Sequence, residues 1–351
     1  MENQNQTPHK RRVRYKGKYP KKFEEKYKEL QPEKYKNTIE HVIQKGNTPA
    51  GMHISIMVKE IIDFLNIQPG EIGFDATLGY VGHTKAMLKC LNGKGHIYAT
   101  DVDPEESDKT KKRLADQGFG EDLLTVKLQN FCTIDEIAKE VGGFDFILAD
   151  LGVSSMQIDN PKRGFSFKVD GPLDLRLNQE AGISAAERLD TITRDELAGM
   201  LYENSDEPYC EELAKAITDE IRKGNRIDTT AKLRQVIEKT LDFLPEKEKK
   251  DTIKKTCQRT FQALRIDVNR EFEVLYEFME KLPDALRPGG RVAILTFHSG
   301  EDKLVKKALK EGYKAGIYSD YAKDVIRPSA QECAQNGRAR STKMRWAVKN
   351  K

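Results

Sequence analysis

The sequence predicts an α/β protein built on a doubly wound parallel sheet with an inserted helical domain. Three observations carry that expectation. Short apolar runs alternate with helical segments from Glu71 to Ala149, the pattern of successive βαβ units. Each of those runs ends on or beside a carboxylate or an amide, at Asp75, Asp101, Asn130 and Asp150. From about Ile183 to Lys255 the chain is charge-rich, helical in period and without a convincing strand, so the sheet is interrupted there.

Taken in order, apolar periodicity from Ile54 to Leu65 predicts a helix ahead of the first strand. Glu71–Asp75 is the first strand, followed by a glycine-bearing turn and a helix over Thr84–Leu91. His96–Thr100 is the second strand, Leu124–Leu128 the third and Phe144–Ala149 the fourth. In the helical stretch, Leu189, Leu197 and Leu201, then Ala214, Ile217 and Ile221, mark apolar faces. The sheet resumes with a helix near Phe272–Leu282, the turn Arg287–Gly290 and a strand over Arg291–Thr296, and Met344–Val348 closes it. The expected domains are a basic extension over 1–45, a sheet domain over 46–175 and 256–351, and a helical substrate-binding insertion over 176–255.

The 351 residues allow one large or two ordinary domains, and 38% apolar with 33% charged residues describes a globular chain with a heavily charged surface. Net charge is only +4, but residues 1–36 hold 12 lysines and arginines against five glutamates. Such an arm suits a tether on nucleic-acid phosphates or a solubilising tail equally well. The five cysteines are widely spaced with no CxxC, which argues against a disulfide framework or a zinc site and fits a reducing cytosol. There is no apolar leader and no run near the roughly 18 residues needed to span a membrane. A cytoplasmic protein is expected, and its oligomeric state, a homodimer included, is left open.

The chemistry gathers at strand ends. Ligands of an open α/β sheet bind in the crevice outside its C-terminal strand ends. The turn Asp75-Ala-Thr-Leu-Gly79-Tyr-Val-Gly82-His83 has only two glycines and is not a dinucleotide loop. Asp101, 22 residues after Gly79, stands where a ribose diol is commonly held. A ribose acid paired with a shortened glycine loop suggests an adenosine ligand without pyrophosphate, S-adenosylmethionine being the obvious one. After the fourth strand, Asp150 to Arg176 interleaves Gly, Ser, Gln and Arg with Phe165, Phe167 and Leu173, which reads as a loop folded over a pocket.

That segment resembles the signature of the bacterial 16S rRNA (cytosine-N4)-methyltransferase family, the MraW type. Four further stretches agree in order and spacing: His53–Glu60, Asp75–Thr84, Arg259–Asn269 and Pro288–Asp302. The resemblance implies a class I, Rossmann-like methyltransferase that uses S-adenosylmethionine on the exocyclic N4 of a cytidine in 16S rRNA or the small ribosomal subunit. It carries cofactor contacts onto Val81, Gly82, His83, Asp101, Phe131, Asp150 and Gln157. The chain departs from the family at Tyr80-Val81, where Arg-Gly is usual, and at Ala76. A side chain at position 81 is expected to narrow the loop.

Asp150 is placed to orient the target amine and accept its proton, with a purely cofactor-holding role as the alternative. Arg163, Arg176, Arg259 and Arg265 are candidates for RNA phosphates, although salt bridges to Asp170, Asp174 or Asp267 account for them as simply. Phe165 and Phe167 are candidates to stack on a flipped base, one of them expected in the core instead. The basic run Asn336–Arg345 is a further candidate to follow phosphates. His83 and His298 are ambiguous between structure and chemistry. Two other readings stay open: a paralogue acting on another RNA or base, and a weakly catalytic RNA-binding assembly factor.

Overall fold

The computed structural model describes residues 55–351; the basic extension and His53 of the first motif lie outside them. Seven strands form one sheet in the order β3-β2-β1-β4-β5-β7-β6. They are β1 (Ile72–Asp75), β2 (His96–Asp101), β3 (Leu124–Leu128), β4 (Phe144–Asp150), β5 (Leu286–Thr296), β6 (Tyr318–Tyr321) and β7 (Lys343–Lys349). Strands β1 to β5 run parallel, and β7 is antiparallel to both β5 and β6. The order reverses between β1 and β4, which opens the ligand crevice at their C-terminal ends. This is the class I, Rossmann-like arrangement. The expected strands are all present, while β6 is a polar four-residue edge strand without an apolar run to announce it.

Successive side chains of β4 point to opposite faces. Ile147 and Ala149 join one apolar layer and Phe146 and Leu148 the other. The first layer is closed by α4 (Ile134–Val141), α11 (Glu271–Ala285) and α12 (Ser299–Lys314). The second is closed by α1 (Val58–Leu65), α2 (Gly82–Leu91) and α3 (Pro104–Ala115). Both faces of the central strands are therefore dry, which is why they read as continuous apolar runs.

Between β4 and α11 the chain forms the short α5 (Ser155–Asp159), then α6 (Ala185–Thr191), α7 (Arg194–Ser205), α8 (Cys210–Arg222), α9 (Thr230–Thr240) and α10 (Glu246–Asn269). These helices bury a core of their own around Leu189, Leu197, Leu213, Ile217, Leu233 and Leu264. Capping boxes at Ser184/Glu187 and Thr193/Glu196 start α6 and α7. Helix α10 crosses residue 256 without a break, and Phe261 and Leu264 on its second half belong to the helical core. The boundary expected at 255/256 thus falls inside a helix, because the apolar face continues through it. Short α13 (Ala330–Gln335) lies between β6 and β7. No helix among the described residues is long and apolar enough to cross a membrane.

Among the glycines of the described strands, Gly73 leaves the least room for a side chain; it stands opposite Phe146 in the β1–β4 register. A Cβ at Gly73 would stand 2.1 Å from the fully buried Phe146 ring. Gly73→Ala is expected to cost about 1–3 kcal/mol through forced displacement of that ring. Denaturant titration checks this, and an unchanged midpoint would mean that the sheet yields there without strain.

Candidate functional site

Four carboxylates line the C-terminal edge of the sheet, each in a different environment. Asp75 is fully buried. Its Oδ2 accepts from the Thr84 hydroxyl at 2.7 Å and its Oδ1 from the Thr77 amide at 3.1 Å. Burial raises its pKa against those bonds. This group ties the turn after β1 to the start of α2, and its complete burial keeps it from a ligand.

Asp101 ends β2. Its Oδ1 accepts from the Asp103 amide at 2.9 Å and its Oδ2 from the Gly79 amide at 3.0 Å. Burial outweighs these two donors and pushes the carboxyl up to about 6. Gly79 has φ of +51° and an added Cβ would meet only the Thr77 carbonyl, at 3.6 Å, so the crest of the turn is open beside Asp101. Gly82 is needed for a different reason: a Cβ there would lie 1.7 Å from Ser55 Oγ.

Val81 adopts φ of +122°, a backbone region costly for a β-branched residue. Its side chain is buried in the α1/α2 apolar layer. The departure at position 81 is therefore felt in backbone conformation, in place of the expected intrusion into the loop. Tyr80 lies under Arg113, whose guanidinium carbon is 4.1 Å from the ring centroid.

Asp150 ends β4. Its amide donates to Thr77 Oγ1 at 2.8 Å, and its Oδ2 is 3.3 Å from His83 Nδ1. Its Oδ1 is buried with no hydrogen-bond partner among the described residues. His83 Nε2 lies 2.8 Å from the Ile56 carbonyl, which only accepts, so Nε2 carries a proton. Burial would lower the His83 pKa, but the Asp150 hydrogen bond and charge, the Ile56 carbonyl and Asp75 outweigh it and the net shift is upward. The ring is poised to hold a second proton on Nδ1, toward Asp150.

Asp103 is the fourth carboxylate and the one that sequence reasoning missed. It caps α3 by accepting from the Glu106 amide at 3.2 Å. Its Oδ2 accepts from Gln157 Nε2 at 3.0 Å and from the Arg163 guanidinium. Gln157 Oε1 accepts from the Ser154 amide at 2.9 Å, closing a capping box on α5. An Asp directly before Pro104 is a helix-start signal that would have found it.

The structure brings Val81, Gly82, His83, Asp101, Asp150 and Gln157 to this one edge through the loops after β1, β2 and β4. Phe131, after β3, is half-buried and meets Phe278 edge-on at 5.2 Å between centroids. The arginines expected on RNA are placed differently. Arg163 is 4% exposed, and besides Asp103 it donates to the Leu177 carbonyl at 2.8 Å. Arg176 is held by Asp174 at 2.7 Å and Arg265 by Glu271 at 2.8 Å through two nitrogens. All three are held by internal ion pairs, but only Arg176 meets an expected partner; Arg163 and Arg265 take Asp103 and Glu271, and Asp267 pairs with Arg188 instead. Arg259 is partly exposed and 3.8 Å from the buried Glu207. Phe165 is buried in the helical core and Phe167 packs against it, edge-on to Phe261 at 5.7 Å. Both rings are therefore packing groups here, where one was expected free for a base.

The Asp101 environment sets a pH dependence. A carboxylate that accepts two ribose hydroxyls must be ionised, and this one holds a proton below about 6. Affinity for S-adenosylmethionine is expected to be flat above pH 7 and to fall toward about tenfold per pH unit at lower pH. Asp101→Asn should weaken binding roughly ten- to hundred-fold at pH 8 and remove the dependence. Calorimetry from pH 5 to 8 checks this; a flat wild-type profile would remove Asp101 from the site.

Comparison with known proteins gives the same direction. The model of the MraW methylase family matches residues 50–350. Ribosomal RNA small subunit methyltransferase H 1 of Agathobacter rectalis is 87% identical over 97% of this chain and 98% of its own length. Ribosomal RNA small subunit methyltransferase H 2 of Alkaliphilus metalliredigens is 61% identical over 97% of each. Ribosomal RNA small subunit methyltransferase H of Acidobacterium capsulatum is 36% identical over 85% of this chain and 98% of its own. With a strand order, a crevice and a family match that agree over nearly all the described residues, the chain belongs to the MraW methylase family.

Proposed function

We propose that this chain methylates the exocyclic N4 of a cytidine in 16S ribosomal RNA, with S-adenosylmethionine as methyl donor. Its relatives' names support the substrate class. The observation that carries the chemistry is the buried Oδ1 of Asp150, without a hydrogen-bond partner among the described residues, on the same sheet edge as a carboxylate suited to a ribose.

The crevice fits the donor. Asp101 is braced by two backbone amides at the β2 end, the Gly79 crest leaves space next to it, and Asp150 and Gln157 stand at the β4 end. Phe131 is the ring available to the adenine. When bound, S-adenosylmethionine supplies an electrophilic methyl group and a thioether leaving group.

The residues of the chain orient the amine and manage its proton. Asp150 Oδ2 is engaged by His83, so Oδ1 is the atom left to accept from the base's N4–H. That hydrogen bond turns the N4 lone pair away from the ring and toward the methyl carbon. As the N–C bond forms, N4 becomes positively charged and its proton passes to Asp150. His83 steadies the carboxylate throughout. Helices α6 to α10 are assigned to the substrate side, because the loop that feeds them leaves directly from the end of β4. The reaction is placed in the cytoplasm, with ribosomal RNA or the small subunit as partner.

The test is an assay of the full-length chain on small ribosomal subunits lacking the modification, read by nucleoside mass spectrometry for N4-methylcytidine. Asp150→Asn keeps the shape and loses the charge. It is expected to lower kcat about 10²–10⁴-fold while the affinity for S-adenosylmethionine changes much less. Turnover near wild type would leave Asp150 as a structural group, and no N4-methylcytidine from the wild type would overturn the reaction itself.

A further inference from the structure

With Arg163, Arg176 and Arg265 spent on internal partners, the cations available to RNA must lie elsewhere. The connection between β6 and β7 supplies them. Residues 322–343 hold five basic side chains against two acidic ones. Register fixes where this connection emerges. Lys343 at the start of β7 pairs with Thr296 at the end of β5, and Ile326 bridges Met344. The connection therefore leaves the sheet on the edge where β4 ends at Asp150. Arg338 donates to Asp159 of α5 at 2.8 Å, tethering the connection to the helix that follows the Asp150 loop.

The connection is also rigidly built. Asn336 Oδ1 accepts from the Arg338 amide at 3.1 Å, the Thr342 amide donates to the Ala339 carbonyl at 3.0 Å, and Ala339 is fully buried. On this frame Arg340 is exposed, and Arg327, next to the Ile326–Met344 bridge, is exposed as well. Of the three other cations of the run, Arg338 is taken by Asp159 and Lys343 by Asp302, which also holds Arg345 just beyond it, while Lys323 is an exposed ammonium without the planar fork of an arginine. Neither Arg327 nor Arg340 has a side-chain hydrogen bond or ion pair among the described residues. A guanidinium on ordered backbone with no carboxylate of its own is available to a phosphate, whose oxygens match its fork.

We infer that Arg327 and Arg340 form a phosphate-binding strip that holds the RNA backbone beside the Asp150 crevice. The inference rests on the proposed RNA substrate and names the surface that receives it. The strip supplies affinity and register, while base choice stays with the crevice.

The experiment compares the full-length wild type, the double variant Arg327→Gln/Arg340→Gln, the double variant Arg327→Lys/Arg340→Lys, and Lys310→Gln. Lys310 is exposed near the far end of α12 and serves as the control. Binding of a single-stranded ribosomal RNA fragment is read by fluorescence anisotropy across a salt series, and turnover is read on small subunits. The Gln pair is expected to lower the log-log salt slope by about 1.4, two phosphates' worth, and to raise KM about tenfold. Its kcat and its affinity for S-adenosylmethionine should be unchanged. The Lys pair should keep most of the slope, and Lys310→Gln should match wild type. An unchanged slope and KM in the Gln pair would overturn the strip, as would a loss confined to kcat. Because anisotropy needs no turnover, absent N4-methylcytidine from the wild type would count against the proposed reaction and not against the strip.

Discussion

The buried ion pair between Asp103 and Arg163 is the constraint on which the rest of the site depends. Both side chains are almost fully enclosed, and a buried pair is tolerated only when its remaining polar atoms are also satisfied. Here they are engaged: Asp103 takes the Glu106 amide and Gln157, and Arg163 reaches the Leu177 carbonyl. Removing one partner of such a pair typically costs about 3–5 kcal/mol. The consequence would spread, because the Asp103 amide braces Asp101, Gln157 caps α5, and Leu177 lies on the way into the helical layer. One contact thus sets Asp101, the loop after Asp150 and the entry to the helices together.

Asn269 extends that chain of contacts. From the end of α10 its side chain accepts from the Leu177 amide at 2.8 Å and donates to the Leu175 carbonyl at 2.8 Å. Leu175 itself sits at φ of +65°, a conformation that a leucine holds only when its surroundings impose it. The loop over the crevice is therefore clamped from both sides, by Arg163 below and by Asn269 from the helical layer.

Within this frame the strand-end carboxylates divide the labour by what surrounds them. Asp75 is fully buried and tied to Thr77 and Thr84, and is structural. Asp101 is held by amides, so it keeps its direction while burial lifts its pKa. Asp150 has one oxygen on His83 and the other without a hydrogen-bond partner among the described residues. Residue type is the same in all three; only the neighbours differ, and they alone decide which acid is a strut, which suits a ribose and which has an oxygen left for an amine.

The sequence by itself determined the fold class and the edge on which the chemistry lies. Central strands buried on both faces must be written as apolar runs, and the polar residue that ends each run marks the crevice; both signals are local. It also determined the family, through motifs long enough to be specific. The tertiary structure decided which charges are available. Arg163, Arg176 and Arg265 look like phosphate ligands in a linear chain, but an arginine's role depends on whether a carboxylate stands within about 3 Å, and Asp103 lies 60 residues away from Arg163. The same holds for Phe165 and Phe167, whose fate turned on a helical core assembled from residues as distant as Phe261 and Leu264. Strand β6 stayed hidden because an edge strand needs no apolar run, only a partner to pair with, and that partner, β7, comes later in the chain.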